Sequence, residues 1–163
     1  MDNKDFKKPI LGDPNGIHVE IWFDEKEGDE GLYYGFRFLS GTNLLFNPDE
    51  MISDVIRTYE YKEDYFIPFL HNLIKTGKPN HWLPIEPDVT IYASVFENSL
   101  YEFNIVADGH FTKSVSSRNE SYVGDGPSVN ISVERNELIY FISDLEQDYN
   151  RFKNIYKEFF PKN

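Results

Sequence analysis

Hydrophobic and polar positions change period several times along this chain, and each change marks an element. Over residues 17–24 the apolar Ile17, Val19, Ile21 and Phe23 alternate with His18, Glu20, Trp22 and Asp24. A period of two puts alternate side chains on opposite faces, so this stretch predicts a strand with one buried face. Residues 32–39 repeat the pattern with Leu32, Tyr34, Phe36 and Phe38. The acidic stretch 25–31 between them predicts the connection of a hairpin. Upstream, Asp13-Pro14-Asn15-Gly16 is a turn signal, because proline presets φ and glycine accepts positive φ.

The period then lengthens. Asn47-Pro48-Asp49-Glu50 reads as a helix start, with Asn47 as N-cap, Pro48 at the first helical position and Glu50 closing a capping box. Met51, Ile52, Val55, Ile56 and Tyr59 share one face of that helix. A second helix is predicted over residues 62–76 and stopped by Gly77. Phe66, Phe69, Leu70, Leu73 and Ile74 are available for its core face, and Pro68 is either a kink or the true first turn. Pro79, Pro84 and Pro87 make 78–88 an extended crossing rather than a regular element.

Residues 89–96 and 100–107 are β-rich, and the short gap Glu97-Asn98-Ser99 predicts a second hairpin. Residues 112–127 are polar, end in Gly124-Asp125-Gly126-Pro127, and read as a loop. Alternation resumes over 128–133 with Val129, Ile131 and Val133 on one side. From 134 to 160, Leu138, Ile142, Leu145, Tyr149, Phe152, Tyr156 and Phe159 return every three or four residues, the spacing of a long amphipathic helix. One such helix normally packs across a sheet. The expected fold is α+β: a mostly antiparallel sheet of about five to six strands, two central helices and a long C-terminal amphipathic helix packed on the sheet. One domain is expected over 1–163, with the polar residues 1–12 open to flexibility.

Composition narrows what such a domain does. A chain of 163 residues suits one core and buries roughly 70% of its unfolded surface, and 14 Phe and 11 Tyr supply much of that core. The 28 acidic against 16 basic residues leave a net charge of -12. That excess repels phosphate backbones and anionic lipid, which disfavours direct nucleic-acid or membrane binding. It attracts a basic protein over long range, or serves solubility alone. The absence of cysteine removes disulfides, thiolate nucleophiles and Cys-ligated zinc, and suits a reducing compartment. With no apolar run like a signal peptide or a membrane span, a cytoplasmic location is expected.

Candidate chemistry is sparse. His18, His71, His81 and His110 fall in different elements and form no close ligand pair, so neither metal nor cofactor is expected. No GxSxG or SxxK nominates a nucleophile, and no catalytic residue is assigned. Glu20 with Asp24, or Glu102, could form a hydrolase pair only at a separation that spacing does not fix. The remaining feature is a surface. Asp24, Glu25, Glu27, Asp29 and Glu30 cluster around one hairpin connection, flanked by Trp22 and Tyr33 on the non-core phase of the two strands. Aromatic anchors within a charged rim make a protein-binding patch; a helix covering that face would instead bury Trp22 and Tyr33 for packing. Both readings stay open, and Tyr92 and Phe96 raise the same question on a later strand.

One resemblance bears on this. Asp88-Val89-Thr90-Ile91-Tyr92-Ala93, then Leu100-Tyr101-Glu102-Phe103-Asn104-Ile105, then Ser128-Val129-Asn130-Ile131-Ser132-Val133 lead into Glu137-Leu138-Ile139-Tyr140-Phe141-Ile142-Ser143-Asp144-Leu145. This strand-into-helix pattern, over roughly residues 88–152, resembles small bacterial immunity proteins of the WapI-associated type, which neutralise a toxin made by their own cell. The resemblance implies a non-enzymatic protein-binding domain that blocks a cognate toxin, for instance a basic nuclease. Two alternatives stand beside it: a small carboxylate-dependent hydrolase or ligand-binding protein built near His110 or His18, and a structural or regulatory subunit. A concave pocket with convergent acids would favour the hydrolase, a large apolar patch the subunit, and a flat acidic face with aromatic centres the immunity protein. The oligomeric state is left open.

Overall fold

The computed structural model describes residues 7–27, 31–45, 55–61, 65–84, 88–97, 99–107 and 126–157. The elements, in chain order, are β1 (Ile10–Gly12), β2 (Ile17–Glu27), β3 (Gly31–Ser40), β4 (Asn43–Leu44), β5 (Ile56–Tyr61), α1 (Phe66–Thr76), β6 (Asn80–Trp82), β7 (Val89–Phe96), β8 (Leu100–Ala107), β9 (Ser128–Glu134) and α2 (Arg135–Ile155). The α+β class with antiparallel sheets is as expected. The strands, however, form two sheets rather than one.

In the first sheet β1, β2 and β3 lie side by side, and the far side of β3 is shared by β5 and, at its end, β4. The predicted turn is present, with the Gly16 N–H donating to the Asp13 carbonyl at 2.9 Å. Ile10–Gly12, within the stretch expected to be unconstrained, pairs with β2. The β2–β3 hairpin is longer than its alternation suggested. Glu25 pairs with Tyr33, Lys26 with Leu32 and Glu27 with Gly31, so the acidic connection begins as strand. Between Phe23 and Glu25 the register shifts by one residue, a β-bulge. A bulge sets two residues of one strand against one of its neighbour, which is how the strand continues without losing its core face.

The largest departure is β5. The helix expected through Val55, Ile56 and Tyr59 is a strand over Ile56–Tyr61; residues 46–54, where that helix was to start, lie outside the described residues. Ile56, Thr58 and Glu60 point inward and are buried, so a period-two pattern is satisfied with two polar residues in it. Pairing with β3 from Gly31↔Tyr61 to Phe36↔Ile56 outweighs the helical spacing. The predicted second helix starts four residues late, at Phe66, and Pro68 falls in its first turn, where no intrahelical N–H is needed. Gly77 closes it with φ 59, the left-handed conformation that glycine adopts without steric cost.

The second sheet runs β6-β7-β8-β9. Its β7–β8 hairpin has the predicted bounds, closing at Phe96↔Leu100. The proline-rich crossing holds one short strand after all: Asn80–Trp82 pairs with β7 from Asn80↔Ala93 to Trp82↔Ile91. The polar stretch 108–125, including His110, lies outside the described residues.

Both sheets and both helices share one core, which includes Val19, Ile21 and Phe23 of β2, Leu70 and Leu73 of α1, Ile91, Phe103 and Ile131 of the second sheet, and Leu138, Leu145 and Phe152 of α2. Trp82 joins the sheets, its ring centroid 5.3 Å from Tyr34, 6.0 Å from Phe36 and 4.8 Å from Phe66. The long helix lies along β2 and reaches β1, β8 and β9. A capping box holds its start, the Glu134 N–H donating to the Glu137 carboxylate at 2.7 Å. Among the described residues no helix is long and apolar enough to cross a membrane.

Candidate protein-binding faces

Because the core takes one face of each sheet, each has an outward face, and the two differ. On the first sheet, register places Glu20 opposite Arg37, Trp22 opposite Gly35 with Arg57 beyond it, and Glu25 opposite Tyr33 with Tyr59 beyond. The bulge turns Asp24 and Glu25 to the same side, and both carboxylates meet one guanidinium: Arg57 Nε lies 2.6 Å from Asp24 and Nη1 3.5 Å from Glu25. Arg37 Nε donates to Glu20 at 2.7 Å. The carboxylates weighed as a hydrolase pair, Glu20 and Asp24, are therefore each tied to an arginine.

Trp22 settles the question of exposure in an unforeseen way. It is only 5% exposed, and among the described residues it packs on the neighbouring strand and under a lysine. Its ring lies across the backbone of Gly35, where a Cβ would stand inside contact distance of the indole. Lys8 Nζ sits 3.6 Å above the ring, a cation–π contact. The indole N–H donates to Asp24 at 3.1 Å. Tyr33 is partly buried against Tyr59, with centroids 5.0 Å apart. Of the residues nominated from the sequence, the structure thus brings Trp22, Asp24 and Glu25 together and adds Lys8, Gly35 and Arg57. Glu25 remains exposed, Glu27 ends β2, and Asp29 and Glu30 lie outside the described residues. Among the described residues, the carboxylates Glu20, Asp24 and Glu25 of this face each meet an arginine.

The outward face of the second sheet is exposed toward its hairpin end, while Thr90 and Val106, on the same phase at the other end, are buried. One row across it reads His81, Tyr92, Asn104, Asn130; the next Ser94, Glu102, Ser132; and the last Phe96, Leu100, Glu134. Tyr92 is 45% and Phe96 47% exposed, with Leu100 beside Phe96 also exposed. Asn104 donates to Asn130 Oδ1 at 2.8 Å, a side-chain rung that holds the amides flat. Every charged residue in these rows is a carboxylate, and among the described residues no cation pairs with Glu102. The sequence carried a signal for this face in residues 128–134, whose outward phase is Ser, Asn, Ser and Glu.

Two other places hold polar groups of note. A hollow of about 360 Å³ at the start of α2 is lined by Ser99, Leu100, Glu134, Arg135 and Asn136, but its carboxylate belongs to the helix's own capping box. Asp148 of α2 is buried and holds structure together: its Oδ2 accepts the Phe23 N–H at 2.7 Å, and its Oδ1 accepts two N–H groups of Arg151 at 2.9 and 2.7 Å. Burial pushes its carboxyl above the usual range, partly offset by the Phe23 and Arg151 hydrogen bonds. Among the described residues no three acidic or histidine side chains gather as metal ligands. His18 is buried with Nδ1 3.1 Å from the Gly16 carbonyl.

No family model, no curated protein and no solved structure matches the chain.

Proposed function

We propose that this protein is a non-enzymatic binding domain of the bacterial immunity kind, which neutralises a cognate basic toxin by covering its working surface. The observation that carries the reading is the exposed part of the outward face of the second sheet, with Tyr92 and Phe96 among amides, hydroxyls and carboxylates. Such faces, polar with aromatic anchors, are what protein partners dock on. A net charge of -12 supports the same reading, since it speeds encounter with a basic partner. In this reading the protein acts by occupancy and works in the cytoplasm of the cell that makes the toxin.

The test is genetic and biochemical. Deleting the coding sequence in its own host should make the cell sensitive to a toxin encoded beside it, and resupplying the protein should restore growth. Affinity purification at low salt should recover that toxin in stoichiometric amount, with association slowing steeply as salt is raised. Full growth of the deletion strain with the neighbouring gene expressed would refute the reading.

A further inference from the structure

We infer that the outward face of the second sheet takes an arginine-bearing surface of a basic protein, with Tyr92 as stacking platform and Glu102 as the carboxylate that receives the guanidinium. This rests on the protein-binding reading above and adds the face and the chemistry of the occupant. Tyr92 is in register with Asn104, and Glu102 with Ser94. Tyr92 and Glu102 are therefore diagonal neighbours on the same side, roughly 7–8 Å apart between backbones. A guanidinium laid on the exposed Tyr92 ring can reach that carboxylate, combining a planar stack with a two-pronged hydrogen bond. Lysine, a point charge on a flexible stem, matches the pair less well.

The surroundings fit the same guest. Asn104 and Asn130, fixed to each other at 2.8 Å, offer their remaining amide valences to a partner backbone. Phe96 and Leu100, opposite one another at the hairpin end, give apolar contact for a side-chain stem. Other occupants fit worse. A second copy would bring Glu102 and a charge of -12 against the same, and nucleic acid would bring phosphate to a face whose charges, among the described residues, are all negative. The first sheet offers no equivalent place, because Arg57 already lies between Asp24 and Glu25 and Lys8 already covers Trp22.

The experiment installs the photo-cross-linker p-benzoyl-phenylalanine at Phe96 in the full chain, in the producing cell, and separately at Tyr140, which is 72% exposed on α2. The expected result is an adduct from position 96 with a net-positive polypeptide, joined within a few residues of an arginine, and lost on Glu102→Lys. With the captured partner purified, Tyr92→Ala and Glu102→Lys should each weaken binding at least tenfold, while Glu25→Lys stays within about twofold. Adducts from position 140 alone, or binding indifferent to Tyr92→Ala and Glu102→Lys, would keep the protein-binding reading and overturn this face. An adduct from position 96 with a second copy or an acidic chain would overturn the occupant. Absence of adducts at both positions would overturn both readings together.

Discussion

Asp148 shows how one buried residue can finish an element begun elsewhere. On the β1 side of β2, the Ile21 N–H donates to the Pro9 carbonyl at 3.0 Å, and the next N–H facing that way, from Phe23, donates to Asp148 instead. The helix side chain thus takes the place of a strand that has already ended. Replacing it with alanine leaves a buried donor unsatisfied and should cost about 2–3 kcal/mol of unfolding free energy. Its pH signature is separable from that of other acids. Burial raises the folded-state pKa above the unfolded one. Between the two values the folded state therefore holds more protons, and this group's contribution is full below the unfolded pKa and lost as pH rises through the folded one. Urea unfolding of the wild type and Asp148→Asn from about pH 3 to pH 7 should show the wild type losing ground to the variant as pH rises. A difference that grows in the opposite direction would mean that the Phe23 and Arg151 hydrogen bonds outweigh burial.

Elements here are joined by aromatic contacts more than by chain connection. Trp82 belongs to β6, a strand of three residues, but its neighbours Tyr34 and Phe36 are in the other sheet and Phe66 is in α1. The two sheets should therefore unfold together. Trp82→Phe leaves Trp22 to report the first sheet, and Trp22→Phe leaves Trp82 to report the junction; in each variant the fluorescence midpoint should coincide with that of far-ultraviolet circular dichroism. A separate, earlier fluorescence transition in either variant would show that the sheets are independent. Long periodic elements were legible in the sequence: α2, the β7–β8 hairpin and the core phase of β2 and β3 lie where their spacing placed them. β5 was not, since Val55, Ile56 and Tyr59 fit a helix while the true inward set includes Thr58 and Glu60. β1 and β6, at three residues each, are too short to carry a period. The candidate surface was half legible: alternation found Trp22 and Tyr33 on the outward phase, but Trp22 is buried by its register partner Gly35 and by Lys8, which no local pattern reveals.

At the scale of the whole molecule, the excess of 28 acidic over 16 basic residues acts on the fold and on the complex in opposite senses. Among themselves the surplus carboxylates repel and loosen the folded state. Raising salt from about 0.01 M to about 0.15 M shortens the screening length from roughly 30 to roughly 8 Å. Thermal unfolding should then move up by about 2–4 °C for each kcal/mol of repulsion removed, while partner association slows over the same range. Scanning calorimetry of the isolated protein checks the first effect; a Tm that falls with salt would mean that pairs such as Glu20–Arg37 and Asp24–Arg57 outweigh the surplus. The carboxylate of Asp148 has a consequence outside the molecule as well. A strand edge with free N–H groups is a template on which a neighbouring chain can add itself, and natural sheets guard against this by covering the edge. By engaging the Phe23 N–H, α2 closes β2 to such neighbours where β1 stops short. Loss of that one side chain would first be seen at high protein concentration, as copies that join edge to edge once the helix has lifted from β2.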